Sequence, residues 1–298
     1  MTRTRQILAV SPTALLVSVA AAQDAPLTQS FEAQRLQVDG LIAELTITTT
    51  PGAGPISVSL SGEPEAVQKV RLSTEGDALV MAMDGIDSDW WDDMWNWSSA
   101  DSGDLQVTVT MPRGRPVKVD HFIGDATIGD LDAEIRFNTS GGETRIGAAT
   151  DAYVSIAGSG DIAVGSASGR LEASIAGSGS VRSGDAGEAS VEIAGGGEIY
   201  LAKIARSLEI DIAGSGEVNA ESVNGKVDID VAGSGEVNIE SGTADPFRVD
   251  IAGSGDVRFG GTANNPDVSV MGSGDVWLAA YTGTLNADGA EIRVGQAQ

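Results

Sequence analysis

A seven-residue phrase that first reads Ile156-Ala-Gly-Ser-Gly-Asp-Ile162 returns from Ile175, Ile193, Ile212, Val231, Ile251 and Val270. The steps are 19, 18, 19, 19, 20 and 19 residues. A near-constant period makes each unit one supersecondary rung that cannot bury its apolar face alone and must stack on its neighbours. Aligned on the lead residue, Ile156, Ile175, Ile193, Ile212, Val231, Ile251 and Val270 form one aliphatic column. A second, six residues on, runs Ile162, Val181, Ile199, Val218, Val237, Val257, Val276. Columns two and four positions before the lead are also predominantly apolar, from Val154 and Ala152 to Val268 and Pro266, and one two beyond Ile162 runs from Val164 to Leu278.

Within each rung these residues alternate with Ser, Asp, Glu, Arg or Asn, the period of a strand buried on one face. The repeat therefore predicts strand, Gly-Ser-Gly corner, strand, second corner, with equivalent side chains ~4.8 Å apart in successive coils. The corner glycines are expected at positive φ, with the serine hydroxyls satisfying corner amides. A phosphate-cradling reading of these glycines fails, because neither a helix nor a lysine follows them. Weaker echoes run upstream: Val164-Gly165 aligns with Ile146-Gly147 and Ile128-Gly129, and Ile135 and Phe137 with Val117 and Val119. The expected fold is all-β, a parallel β-solenoid (β-helix) of about nine coils over residues 117–295.

Residues 31–116 carry alternating runs at Leu36-Val38, Leu45-Ile47, Ile56-Val58-Leu60, Val70-Leu72, Leu79-Met81-Met83 and Leu105-Val107-Val109-Met111, separated by turn signals such as Asp39-Gly40 and Pro51-Gly52. They read as an N-terminal β lead-in that caps the exposed sheet edge and merges with the repeats into one domain. Ahead of them, residues 1–22 have Arg3 and Arg5, an apolar run broken by Pro12, and the small-residue exit Ala20-Ala21-Ala22. That layout predicts a cleaved signal peptide and an exported chain, periplasmic, on the outer surface or extracellular, with no transmembrane segment once it is removed.

The sequence has no cysteine, which excludes thiolate chemistry, disulfides and a lipidated N-terminal cysteine. With 18 Lys+Arg against 43 Asp+Glu, the net charge is −25, and nucleic acid is excluded as a partner on charge grounds. The residues following the corners, Asp161, Ser180, Glu198, Glu217, Glu236, Asp256 and Asp275, set carboxylates in one vertical line. Two such charges ~4.8 Å apart in water repel by ~0.9 kcal/mol, so weak Ca²⁺ association, turn amides or plain solvation is expected to offset them. No cofactor is indicated. His121, the one histidine, has no recognisable nucleophile motif and reads as structural.

The other irregularity is the insert at residues 84–103, where four of the five tryptophans fall within eight residues. Trp91 and Trp95 are four apart, as are Trp90 and Met94, so a short helix would bring each pair together. Trp90, Trp91, Asp92, Asp93, Trp95 and Trp97 form a candidate binding loop, with indoles stacking on sugar rings or a partner and carboxylates contacting polar groups. A flap packed over a solenoid face is the alternative.

The Gly-Ser-Gly-Asp/Glu-Val rungs, the segment Val109-Thr-Met-Pro112 and the opening Leu36-Gln-Val-Asp-Gly40 resemble the putative auto-transporter adhesin, head GIN domain family and its related putative-adhesin β-strand-repeat proteins. The likeness covers roughly Phe31 to Leu278. It implies an exported, β-helical bacterial envelope protein and supplies no catalytic residues. No set of membrane-spanning strands follows Leu278, so self-translocation is not expected. The expected function is a non-enzymatic envelope or surface protein, an adhesin-like binding module for an envelope component, glycan or protein. A structural envelope scaffold and a polysaccharide-active β-helix enzyme are the alternatives. The enzyme would need an irregular cleft with paired carboxylates, which the uniform rungs do not offer.

Overall fold

The computed structural model describes residues 26–84, 105–289 and 291–295. Its strands join one 24-stranded sheet wound into a parallel β-solenoid of about nine turns with a period near 19 residues. In chain order they are β1 (Leu27–Phe31), β2 (Arg35–Ile42), β3 (Glu44–Thr50), β4 (Ile56–Ser61), β5 (Val70–Glu75), β6 (Ala78–Met83), β7 (Gln106–Pro112), β8 (Val117–Ile123), β9 (Ala126–Ile128), β10 (Ile135–Gly141), β11 (Glu143–Ala149) and β12 (Ala152–Gly158). Then come β13 (Asp161–Gly177), β14 (Ser180–Ser183), β15 (Ala186–Gly195), β16 (Glu198–Gly214), β17 (Glu217–Gly233), β18 (Glu236–Ile239), β19 (Gly242–Gly253), β20 (Asp256–Asn264), β21 (Asp267–Gly272), β22 (Asp275–Thr282), β23 (Asn286–Asp288) and β24 (Glu291–Val294).

The aliphatic columns of the sequence are ladders in space. Ile156 pairs with Ile175, Ile175 with Ile193, Ile193 with Ile212, Ile212 with Val231, Val231 with Ile251 and Ile251 with Val270, all in parallel register. Each of these side chains is buried. The second column, Ile162 to Val276, is equally continuous and dry. The two faces meet inside: Phe247 before the corner stacks on Phe259 after it, with ring centroids 5.1 Å apart. Burying one such side chain contributes ~1.5–3 kcal/mol, and every winding repeats the gain.

Each winding also carries a third paired segment that the two-strand reading omits. Ala149, Ala167, Ala186, Ile204 and Val223 pair in succession, and all are buried. The register slips just beyond them, between Ala167 and Arg170 in one winding and between Ala186 and Glu188 in the next. These irregularities turn the chain without ending the strand, which is how a bulge bends a sheet. Strand β13 therefore runs unbroken for 17 residues through what the sequence presents as a second corner.

The Gly-Ser-Gly corner differs from expectation in two respects. Only its first glycine has positive φ: Gly214 lies at φ 131, whereas Gly216 does not, and a Cβ added there would sit 2.6 Å from the Cγ2 of Ile193 in the winding before. The second glycine is thus imposed by close packing on the isoleucine column. The corner amides are satisfied by the preceding winding rather than by serine hydroxyls, with Ser215 N donating to Gly195 O at 2.9 Å and Glu217 N to Gly197 O at 3.0 Å. The serines themselves are exposed.

At the N-terminal end, chain order and spatial order part. Strand β2 pairs in parallel with β6 on one side and β8 on the other, and β3 likewise with β7 and β9. The first winding is therefore clasped between two later ones. Beyond it the sheet turns antiparallel, β5 covering β6, β4 covering β7 and β1 covering β4. A short helix that the alternating pattern does not announce, α1 (Pro64–Lys69), links β4 to β5, with proline at its start, Glu65 in its first turn and Lys69 in its last. At the opposite end β23 and β24 form a last partial winding on β21 and β22.

Three substitutions test this packing. Thr144 is fully buried between Ala126 and Ile162, and its hydroxyl has no hydrogen-bond partner among the described residues. Thr144→Val keeps the volume and removes the orphan, so denaturant unfolding is expected to show a gain of about 1–2 kcal/mol. Gly196, the middle residue of its corner, has open space where a Cβ would go and no positive φ. Gly196→Ser is expected to change stability by less than about 1 kcal/mol, while Gly216→Ala lowers it clearly in the same assay.

Candidate functional site

The outer surface of the solenoid is built from the side chains that alternate with the buried columns, so residues one winding apart lie side by side ~4.8 Å apart. After the corner, Asp161, Ser180, Glu198, Glu217, Glu236 and Asp256 do form one column, each paired with the next. Neighbouring donors offset much of its repulsion. Ser180 Oγ donates to Asp161, Tyr200 Oη to Glu198 at 3.1 Å, Asn219 Nδ2 to Glu217 at 2.6 Å, and the backbone N–H of Asp275 to Asp256 at 3.0 Å. Asp275 in turn is 3.4 Å from Arg293. Tyr200 and Asn219 belong to the next outward column, where Arg182 lies over the Tyr200 ring and Arg258 over Trp277, 5.0 and 4.3 Å from the ring centroids. The bond to Glu198, then the charge of that carboxylate, raises the Tyr200 pKa above its ordinary value. Among the described residues no group of three or more carboxylates or imidazoles is placed to hold a metal ion.

Before the corner lies a second acidic column that the sequence reading passed over. Glu192, Asp211, Asp230 and Asp250 precede the lead isoleucine or valine in four successive windings and pair in register. None of the four carboxylates has an ion pair or hydrogen bond among the described residues. Nearby cations are engaged elsewhere, Lys226 with Asp228 at 2.7 Å and Arg248 with Asp267 at 3.4 Å. Desolvation first, then the neighbouring carboxylates, raises the pKa of Asp211 and of Asp230 above the ordinary 3.8. Alongside runs a column of outward alanines, Ala194, Ala213, Ala232 and Ala252, ending in Met271, which is 74% exposed. Small side chains beside longer acidic ones leave an open groove of about 340 Å³ along the axis, with the column of acids as one wall and the alanine methyls as floor. The signal for it was in the phrase all along, as the Glu or Asp before each Ile-Ala-Gly or Val-Ala-Gly from the third unit to the sixth.

The tryptophan loop, Trp90, Trp91, Asp92, Asp93, Trp95 and Trp97, lies outside the described residues, as does the segment 1–22. The flanks of the loop are placed: Asp84 N donates to Lys69 O and its carboxylate pairs with Arg71, while Leu105 O accepts from Glu44 N at 2.9 Å. Since β6 and β7 stack on β2 and β3, the loop leaves and rejoins the solenoid on the corner line. His121 sits on β8, partly exposed and at φ 53, with Nδ1 3.4 Å from Asp39 Oδ1. Among the described residues no helix is long and apolar enough to cross a membrane.

Several solved structures are similar in outline. They include a "putative lipid binding protein" from Parabacteroides distasonis (17% identity, TM-score 0.43), a "putative adhesin" from Bacteroides fragilis (14%, 0.43) and another from Parabacteroides merdae (13%, 0.43). Each alignment covers 88% of this chain and 98% of the other. No curated protein matches the chain. The family model described as putative auto-transporter adhesin, head GIN domain, matches residues 41–239 and 207–290, which run from the end of β2 through β23. The chain belongs to that adhesin family.

Proposed function

We propose that this protein is an exported, non-enzymatic binding module of the bacterial envelope or cell surface, residues 31–116 and 117–295 working as one domain. The observation that carries the reading is the axial groove with its unpaired acidic wall, set on the solenoid of an adhesin family. Extended solenoids present extended contact areas, and here equivalent groups recur at every winding. A purely structural scaffold accounts less well for carboxylates left without partners, because like charges in a row reduce stability and nothing in the packing requires them. The tryptophan-rich segment supplies a second contact point in this proposal, with Trp90, Trp91, Trp95 and Trp97 as apolar anchors and Asp92 and Asp93 beside them.

The groove acids give a pH signature whose sign follows from linkage. A carboxyl whose folded pKa is raised above 3.8 contributes stability that is fully present below 3.8 and lost as pH rises through the folded value. Asp211 and Asp230 feel Glu192, Glu209, Asp228 and Asp250, with Arg248 opposing weakly at Asp230. Relative to an Asp211→Asn/Asp230→Asn variant, the wild type is therefore expected to lose melting temperature as pH rises from about 4 to 7, by about 1–2 °C after solvent screening. Thermal melts of both proteins across that range check it.

Binding itself is measured as retention of the purified protein on envelope fractions and on a glycan panel, with and without Trp90, Trp91, Trp95 and Trp97 changed to alanine. Retention at least tenfold weaker at an unchanged melting temperature is the expected result. A collapsed melt would instead make the segment a cap, and absence of retention on any envelope or glycan surface would remove the binding-module reading.

A further inference from the structure

The ligand class of the groove can be read from its two walls, and this step rests on the binding-module reading above. The faces of the strands offer no free backbone donors or acceptors, because those groups are spent within the ladder. What remains for recognition is a shelf of alanine methyls beside a file of carboxylates without counter-ions. A group that fits both has an aliphatic stem to lie on the shelf and a cationic head to reach the acids, the shape of a lysine or arginine side chain. From Glu192 to Asp250 the file spans three winding steps, ~14 Å. Alternate side chains of an extended peptide are ~6.7 Å apart, so two or three basic residues would cover that span along the axis. We infer that the groove between Glu192 and Met271 is a docking site for an extended segment of polypeptide with lysine or arginine at alternate positions.

The post-corner acids supply an internal control. They are comparable in number, lie on another part of the surface and, Glu236 excepted, already have donors. Mere attraction to a chain of net charge −25 would not distinguish the two columns, whereas a groove site does.

The experiment uses fluorescent decalysine and anisotropy at about 0.15 M salt, where long-range attraction is screened beyond ~8 Å. Wild-type protein is expected to bind one peptide saturably. The variant Asp211→Asn/Asp230→Asn/Asp250→Asn should bind at least tenfold more weakly while melting at a higher temperature, so its loss cannot come from unfolding. Ala213→Leu/Ala232→Leu fills the floor, keeps every charge, and should weaken binding to a similar degree. Glu198→Gln/Glu217→Gln/Asp256→Asn removes as much charge from donor-bound acids of the other column and should leave affinity within about twofold. Equal losses from the two charge variants, or spermine binding as tightly as decalysine, would overturn the assignment. If decalysine fails to bind while envelope retention persists, the groove inference falls and the binding-module reading stands.

Discussion

The parallel ladder holding each aliphatic side chain directly above its counterpart one winding earlier is the constraint on which the rest of the protein depends. A single rung has no interior. Its isoleucine is buried only because another isoleucine lies on either side along the axis and the opposite face closes over it. The same geometry fixes the second glycine of the central corners, since a Cβ at Gly197, Gly216, Gly235 or Gly255 would run into the aliphatic column. It also dictates the exterior. Any residue type repeated at an outward position becomes a continuous line, whether that line is stabilising, as with the Asn219–Asn238 contact of 3.4 Å, or repulsive.

That repetition explains the two acidic columns, which have the same spacing and opposite electrostatic circumstances. After the corner, Tyr200 and Asn219, two positions on, reach back to the carboxylates of Glu198 and Glu217, and Arg182 reaches the Ser180 hydroxyl. Before it, the next outward position is alanine, which is too short and too apolar to help. In one column most carboxylates thus have donors, and the other keeps its charges available along a recess.

Much of this was legible in the sequence because the information is one-dimensional: a period, an alternation and a glycine corner specify register directly. The columns from Ile156 and Ile162 and the upstream echoes through Ile128 and Val117 all appear as ladders in space. The third segment through Ala167 and Ile204 was hidden because its neighbours are three and four residues away, which breaks the two-residue rhythm. Helix α1 escaped because six residues are too few for a helical period to show. The groove acids looked like ordinary outward alternation, and only the coordinates reveal which acids have partners. The neighbours of β2 could not be read either, since pairings across 43 residues to Leu79 and 81 to Val117 leave no local trace.

Those distant pairings make the two ends of the solenoid mechanically unlike. At the β24 end, windings lie in the order of the chain, so a pull there can peel them away one at a time, each step opposed by a single interface. At the other end, β2 and β3 are held between layers supplied by later residues, and withdrawing them means breaking the ladders on both sides together. A tether attached near β1 would therefore bear load against a clasp, and one attached near β24 against a zipper.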